Sequence, residues 1–205
     1  MRFTAPTRRS SSRPSNTGTS SSSTEVSGGS FVRVALTGAP GTGKTTLAAL
    51  LAPTFLVHAV RDLAEACGAL GSKEGDGAHP VDLDALLQHV QGLSPDMLIE
   101  GHLSHHLHPD VIVVLRCAPG TLRDRLEARG YGPGKVRSNV EWELLGGVHA
   151  EIQDAGLGVP ILELDASSMT PEAMAERVCA WRDEGYAASS EALIDWLADA
   201  THLPS

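Results

Sequence analysis

The chain reads as an α/β domain, with a parallel sheet of about five strands covered by helices on both faces. Three observations predict it. From Phe31 onward, short apolar runs of strand length alternate with longer amphipathic stretches of helix length. That alternation is the pattern of βαβ units, whose right-handed crossovers make the strands parallel. The first strand-to-helix junction carries the glycine-rich GAPGTGKT, residues 38–45. With the Ser-rich start set aside, about 175 residues remain, enough for a single core.

Taken in order, FVRVALT (31–37) is a strand, KTTLAALLA (44–52) a helix, TFLVHA (54–59) a strand and VDLDALLQHVQGL (81–93) a helix. DMLIEG (96–101) and DVIVVLRC (110–117) are two further strands, and GTLRDRLEARG (120–130) is a helix stopped by Gly130. One helix is expected over 135–155, then the strand VPILELD (159–165). In TPEAMAERVCAWRDEG (170–185), Thr170 caps a helix, Pro171 opens it and Gly185 closes it. SSEALIDWLADA (189–200) reads as a last amphipathic helix. The expected division is a disordered tail over 1–30, a domain over 31–184 and a C-terminal helical extension over 185–205.

Residues 1–30 are Ser, Thr, Gly, Pro and Arg with almost nothing to bury, so they cannot offset their ordering entropy. The Arg-rich, acid-poor start has the composition of an organellar transit peptide, and an upstream start codon misassigned to the gene accounts for it equally well. This tail carries Arg2, Arg8, Arg9 and Arg13 against Glu25, so the total charge of −9 leaves −12 on the body. An acidic body with only three lysines in the whole chain argues against a broad basic face for naked nucleic acid. Cys67, Cys117 and Cys179 stand far apart in no CxxC pair, which fits a reducing cytoplasm rather than a disulfide framework. The longest apolar run, VIVVL at 111–115, is too short to span a bilayer.

GAPGTGKT satisfies G-x-x-x-x-G-K-[ST]. A chain leaving a buried strand must wrap a phosphate before entering the helix. Gly38, Gly41 and Gly43 supply the backbone freedom that turns successive N–H groups inward, and the helix N-terminus then faces the anion. Lys44 is placed to reach the β- and γ-phosphates, and Thr45 to offer its hydroxyl to Mg²⁺.

Ligands of such sheets bind at the carboxyl ends of the strands, which directs attention to LIEGHLSHHLHP, residues 98–109. Glu100 closes a strand, where a carboxylate can hold a Mg²⁺-bound water, and His102 follows two residues on. A zinc site from His102, His105 or His106, and His108 is the competing reading, since helical spacing can bring them to one face. The segment is short and lacks the H-E-x-x-H order. Glu100 and His102 are therefore assigned to the nucleotide, and His105, His106 and His108 stay open between structural histidines and other roles.

The helix TLRDRLEARG carries Arg123, Arg125 and Arg129, and precedes the Gly/Pro-rich GYGPGKVRSN, which reads as a lid. Phosphoryl transfer spreads negative charge that a guanidinium from a lid can neutralise. Arg129 abuts Gly130 and is assigned that role. Arg125 reads equally as a second such group or as part of a solvated face with Asp124 and Glu127.

VALTGAPGTGKTT, VDLDAL, IEGHLSHHL, VVLRCAPGTLRDRLEARGY and KVRSNVEWE follow one another in the order and spacing of the adenylate kinase isoenzyme 6 family in its archaeal form, which the chain resembles over residues 32–178. The resemblance implies a P-loop nucleoside monophosphate kinase fold, with a monophosphate-binding region over 59–81 and a short lid over 128–138. It implies catalysis of ATP + AMP to two ADP, ATPase activity, and a role in small-ribosomal-subunit maturation through a basic platform ribosomal protein. By position, ATP falls to Gly41, Gly43, Lys44, Thr45 and Thr46, and Arg129 is the lid contact; Gly38 and Thr42 of the same loop and Arg125 of the lid helix join them as candidate ATP contacts from the residues alone. Glu100 and His102 stand for the family's acid-x-His element.

One departure bears on the acceptor. Where the family has an arginine after DLA, this chain has Glu65, in VRDLAEAC. A carboxylate there repels a phosphate. Arg61, one turn earlier, shares its face if the segment is helical, so Arg61 and the adjoining Asp62 become the candidate acceptor contacts. Two rival readings follow: an assembly ATPase switch that ignores AMP, and a small-metabolite kinase on the same scaffold.

Overall fold

A computed structural model of the protein describes residues 32–72, 79–94, 96–188 and 193–198. The expected tail over 1–30 lies outside the described residues. Five strands form one parallel sheet in the order β2-β3-β1-β4-β5. They are β1 (Arg33–Thr37), β2 (Val57–Ala59), β3 (Met97–Glu100), β4 (Val111–Arg116) and β5 (Ile161–Asp165). β1 pairs with β3 (Leu36 opposite Glu100) and with β4 (Leu36 opposite Val113), which brings the end of β3 beside the loop that leaves β1.

The helices are α1 (Lys44–Leu51), α2 (Val60–Ala66), α3 (Leu83–Gln91), α4 (Pro119–Ala128), α5 (Pro133–Leu144), α6 (Gly147–Asp154) and α7 (Pro171–Asp183). Alternate residues of the strands face opposite layers. Val34, Leu36, Val113 and Leu115 pack with Leu47 and Leu51 of α1 and Met174, Val178 and Trp181 of α7. Ala35, Ile112 and Val114 pack with Val148 and Ile152 of α6, and Met97 and Ile99 with Leu63, Leu86 and Val90 of α2 and α3. Every residue of β4 is buried, as a strand covered on both faces must be. Each large aliphatic side chain so buried stabilises the fold by roughly 1.5–3 kcal/mol.

The caps follow the sequence reading where it was specific: Thr170 accepts from the Ala173 N–H at 3.2 Å, and Pro171 is the first residue of α7. Two expectations are corrected. The single helix over 135–155 is two helices, because the chain turns at Gly146 with φ +65°, outside the helical region. Of the piece expected as a last helix, residues 193–198 are described, and they form an irregular stretch ending in a turn at 196–198. Long-range polar contacts hold that stretch instead: Ile194 N–H donates to Glu163 at 2.6 Å and Trp196 Nε1 to Glu143 at 3.0 Å.

Candidate active site

The loop between β1 and α1 turns through φ values of +136°, +93° and +106° at Gly38, Gly41 and Gly43. At Gly38 no side chain fits, since a Cβ would collide with the carbonyl oxygen of Leu115 on β4. The sheet therefore sets the path of the loop. Thr42, fully buried, closes it by donating its hydroxyl to Ala39 O at 3.0 Å. Lys44 folds back over it, and its ammonium donates to Gly38 O at 2.9 Å and Ala39 O at 2.8 Å. Burial pushes the Lys44 pKa down to about 8; the Glu100 and Glu143 charges oppose that shift and the Arg129 charge adds to it. A phosphate arriving in the loop gives this ammonium a counter-charge in place of two carbonyl dipoles.

Thr45 is exposed in the first turn of α1, and its hydroxyl donates to Glu100 Oε1 at 3.3 Å. Thr46, the next residue, is also exposed. His102 is exposed by surface area yet closely surrounded by protein in the cleft. That crowding first, and the Lys44 charge second, lower its pKa below the ordinary histidine value. Its ring is neutral at pH 7.

These groups line one cleft of about 930 Å³. Lys44, Thr45, Glu100 and His102 line it, together with Arg61, Arg129 and Lys135. α2 is helical and bears both Arg61 and Glu65, each exposed, but only Arg61 reaches the cleft; Asp62 and Glu65 are not among its lining residues. Leu70 and Val81, which also line the cleft, pair in an antiparallel bridge. Arg125 also lies off the cleft. Its guanidinium donates to Ala166 O at 2.8 Å, Thr42 O at 3.4 Å and Cys117 Sγ at 3.5 Å, which braces the phosphate loop from behind. Of the expected lid, residues 129–132 connect α4 to α5 and residues 133–138 are the first turns of α5.

Lys135, Trp142 and Glu151 are among the cleft residues that the sequence did not single out. Lys135 lies within KVRSN and carries its ammonium 5.5 Å from the Tyr131 ring centroid. Its scarcity was the available signal, since two of the three lysines in the chain line this cleft. Trp142 and Glu151 also line it, from α5 and α6, and nothing local in the sequence marks either. His105 is fully buried, its Nδ1 2.9 Å from the Thr37 hydroxyl and its Nε2 2.9 Å from Glu151 Oε2. Burial, then the His106 charge, lowers its pKa to about 4. A second hollow of about 610 Å³ lies along β5, and contains none of the phosphate-loop residues.

A parallel sheet with a glycine-rich loop, a lysine and a carboxylate at the strand ends defines a P-loop phosphotransferase. A domain family described as "AAA domain" matches residues 34–146. A Halobacterium salinarum protein named "Putative adenylate kinase" is 38% identical over 154 residues, covering 74% of this chain and 90% of the relative. A Pyrococcus abyssi protein of the same name is 38% identical, covering 71% of this chain and 81% of the relative. The chain belongs to this archaeal adenylate kinase family, the one its motifs resemble. The same fold appears in a solved shikimate kinase from Acinetobacter baumannii, with a TM-score of 0.53 at 12% identity, covering 76% of this chain and 95% of that one. Among the described residues no helix is long and apolar enough to cross a membrane.

Proposed function

We propose that the protein is a cytoplasmic, Mg²⁺-dependent kinase that transfers the γ-phosphoryl group of ATP to AMP, giving two ADP. The observation that carries this reading is the convergence on one cleft of Lys44, Thr45 and Glu100 with the cations Arg61, Arg129 and Lys135. Two phosphate chains meeting in one cleft need positive charge for both, and here Arg61 of α2 lines the same cleft as the phosphate loop.

In this reading the loop amides and Lys44 hold the ATP phosphates. Arg129, at the end of α4, neutralises the group in transit. Arg61 holds the AMP phosphate. The P–O bond to the β-phosphate breaks as one forms to an AMP phosphate oxygen. With a second pKa near 6, that oxygen is already deprotonated at neutral pH, so the step needs positioning and charge rather than a base. The Thr45 hydroxyl and Glu100 carboxylate are hard oxygen donors side by side in the cleft. That donor set suits Mg²⁺ with bound waters, which when present neutralises charge on the phosphates. Without AMP, water is the remaining acceptor, and the neutral His102 ring can orient it, which accounts for a slower ATPase activity.

A second reading rests on the −12 charge of the body. An acidic surface suits a basic partner, and supports ATP-controlled binding to a platform ribosomal protein during small-subunit maturation. ADP release from Mg·ATP, with and without AMP, tests the first reading. Several-fold stimulation by AMP that disappears in Lys44→Ala is the expected result. ADP release indifferent to AMP overturns the kinase and leaves the assembly ATPase.

A further inference from the structure

His105, His106 and Glu151 are brought together by the tertiary fold and are not used by the phosphotransfer chemistry. His105 and His106 lie in a 3-10 turn, Ser104–His106, after β3, and Glu151 on α6. Glu151 Oε2 is 2.9 Å from His105 Nε2 and 3.4 Å from His106 Nε2. All three ligand atoms lie within 4.8 Å of one another. The other carboxylate oxygen, Oε1, accepts the Trp142 indole N–H at 3.2 Å, which aims Oε2 at the two imidazoles.

A neutral His105 offers a lone pair at Nε2 in the tautomer that carries its proton on Nδ1. The Thr37 hydroxyl has one proton and two neighbours, the His102 carbonyl at 3.2 Å and His105 Nδ1 at 2.9 Å. When the hydroxyl donates to the carbonyl, which can only accept, Thr37 accepts from Nδ1–H. A neutral imidazole carries a single N–H. Nε2 of the buried His105 then turns a lone pair toward a carboxylate oxygen 2.9 Å away. In that tautomer the two lone pairs are satisfied by a cation between them.

We propose that His105, His106 and Glu151 form a binding site for a divalent transition metal of the zinc class. Ligand bonds of about 2.1 Å require ligand atoms about 3.0–3.5 Å apart, and two of the three pairs already stand at 2.9 and 3.4 Å. The donor set of two imidazoles and a carboxylate selects zinc-like ions over Mg²⁺. Thr37 holds the Nδ1 side of one ligand and Trp142 orients another, the supporting contacts that such ligands need. His106 and Glu151 are partly exposed, and Glu151 lines the cleft, so an ion has a route in. The metal ties the turn after β3, which follows His102, to α6. Unlike the helical set of four histidines considered in the sequence, this site leaves out His102 and His108 and takes its third ligand from Glu151.

The test is a titration of the full chain with Co²⁺ and with Zn²⁺, in excess Mg²⁺ and ADP to occupy the phosphate site. It follows stoichiometry by calorimetry and coordination by the visible cobalt spectrum. One equivalent bound with intense bands of low coordination number is expected. His106→Ala and Glu151→Gln, both at partly exposed positions, should each weaken binding at least about tenfold. Trp142→Phe should weaken it while leaving the stoichiometry at one. The absence of stoichiometric binding, or binding unmoved by His106→Ala and Glu151→Gln, overturns the proposal. So does a metal-free histidine ¹⁵N spectrum showing His105 protonated at Nε2, since the Glu151 contact is then an ordinary hydrogen bond. None of these readouts depends on kinase activity.

Discussion

Thr45 and Glu100, 55 residues apart in the chain, meet with the threonine hydroxyl 3.3 Å from the carboxylate. The contact exists because β1 and β3 are neighbours in register, so that α1 starts beside the end of β3. It joins the two halves of the Mg²⁺ site in the proposed mechanism.

Replacing Glu100 by Gln keeps the shape and removes the charge. The Mg²⁺ concentration needed for half-maximal ADP production should rise by about 10- to 100-fold, as for outer contacts of other metal sites. A Mg²⁺ titration at fixed ATP, extended until the variant saturates, measures it. An unchanged requirement would remove Glu100 from the metal site.

Lys44, with its pKa lowered to about 8 by burial, gives a pH signature of stated sign. Above about pH 8 the free enzyme loses the ammonium that grips phosphate, so kcat/KM for Mg·ATP should fall with an apparent pKa near 8. Bound phosphates raise that pKa, and the kcat profile should extend to higher pH. Stability moves the other way. Between about pH 8 and 10.5 the unfolded chain holds the proton that the folded chain has released, so the contribution of Lys44 to stability rises with pH in that window. In Lys44→Arg, whose guanidinium stays charged, the fall in residual kcat/KM near pH 8 should vanish.

The acceptor side is tested by a pair of substitutions on α2. Arg61→Ala removes a charge-assisted contact of about 1.5–3 kcal/mol and should raise KM for AMP about 10- to 100-fold, with KM for ATP little changed. Glu65→Arg should lower KM for AMP only modestly, because position 65 is not part of the cleft wall. Steady-state kinetics with AMP varied distinguishes the two; equal effects on both nucleotides would place Arg61 outside the acceptor site.

Arg116 and Glu143 form a fully buried ion pair at 2.6 Å, extended by Glu163 and by the carbonyl of Ile194. Removing one member strands the other charge in the core. Glu143→Leu should cost about 3–5 kcal/mol, seen as a lower urea midpoint at unchanged slope. The loss should also free the 193–198 stretch, read as faster amide exchange at Ile194.

The phosphate loop was fully legible because its eight residues are consecutive and each meets a local demand. Glu100 and His102 were legible from strand-end logic. Arg125 was not settled by its sequence: four residues before Arg129 on one helix, it belongs to the packing behind the loop, while Arg129 at the helix end reaches the cleft. Glu65 suggested a weakened acceptor site, yet the orientation of α2 gives the cleft to Arg61. The break between α5 and α6 was missed because the amphipathic pattern continues through Gly146.

By itself the sequence determined the alternation of strands and helices, the phosphate loop and the family, since these rest on periodicity and on short contiguous spacings. The tertiary structure alone decided which distant side chains share a site: Thr45 with Glu100, Arg61 in one cleft with Lys44, Glu151 with His105 and His106. Strand order and helix orientation bring the first and last of these sets into hydrogen-bond contact and place Arg61 and Lys44 in one cleft. Those properties arise from burying apolar faces across the whole chain, so no local stretch of residues encodes them.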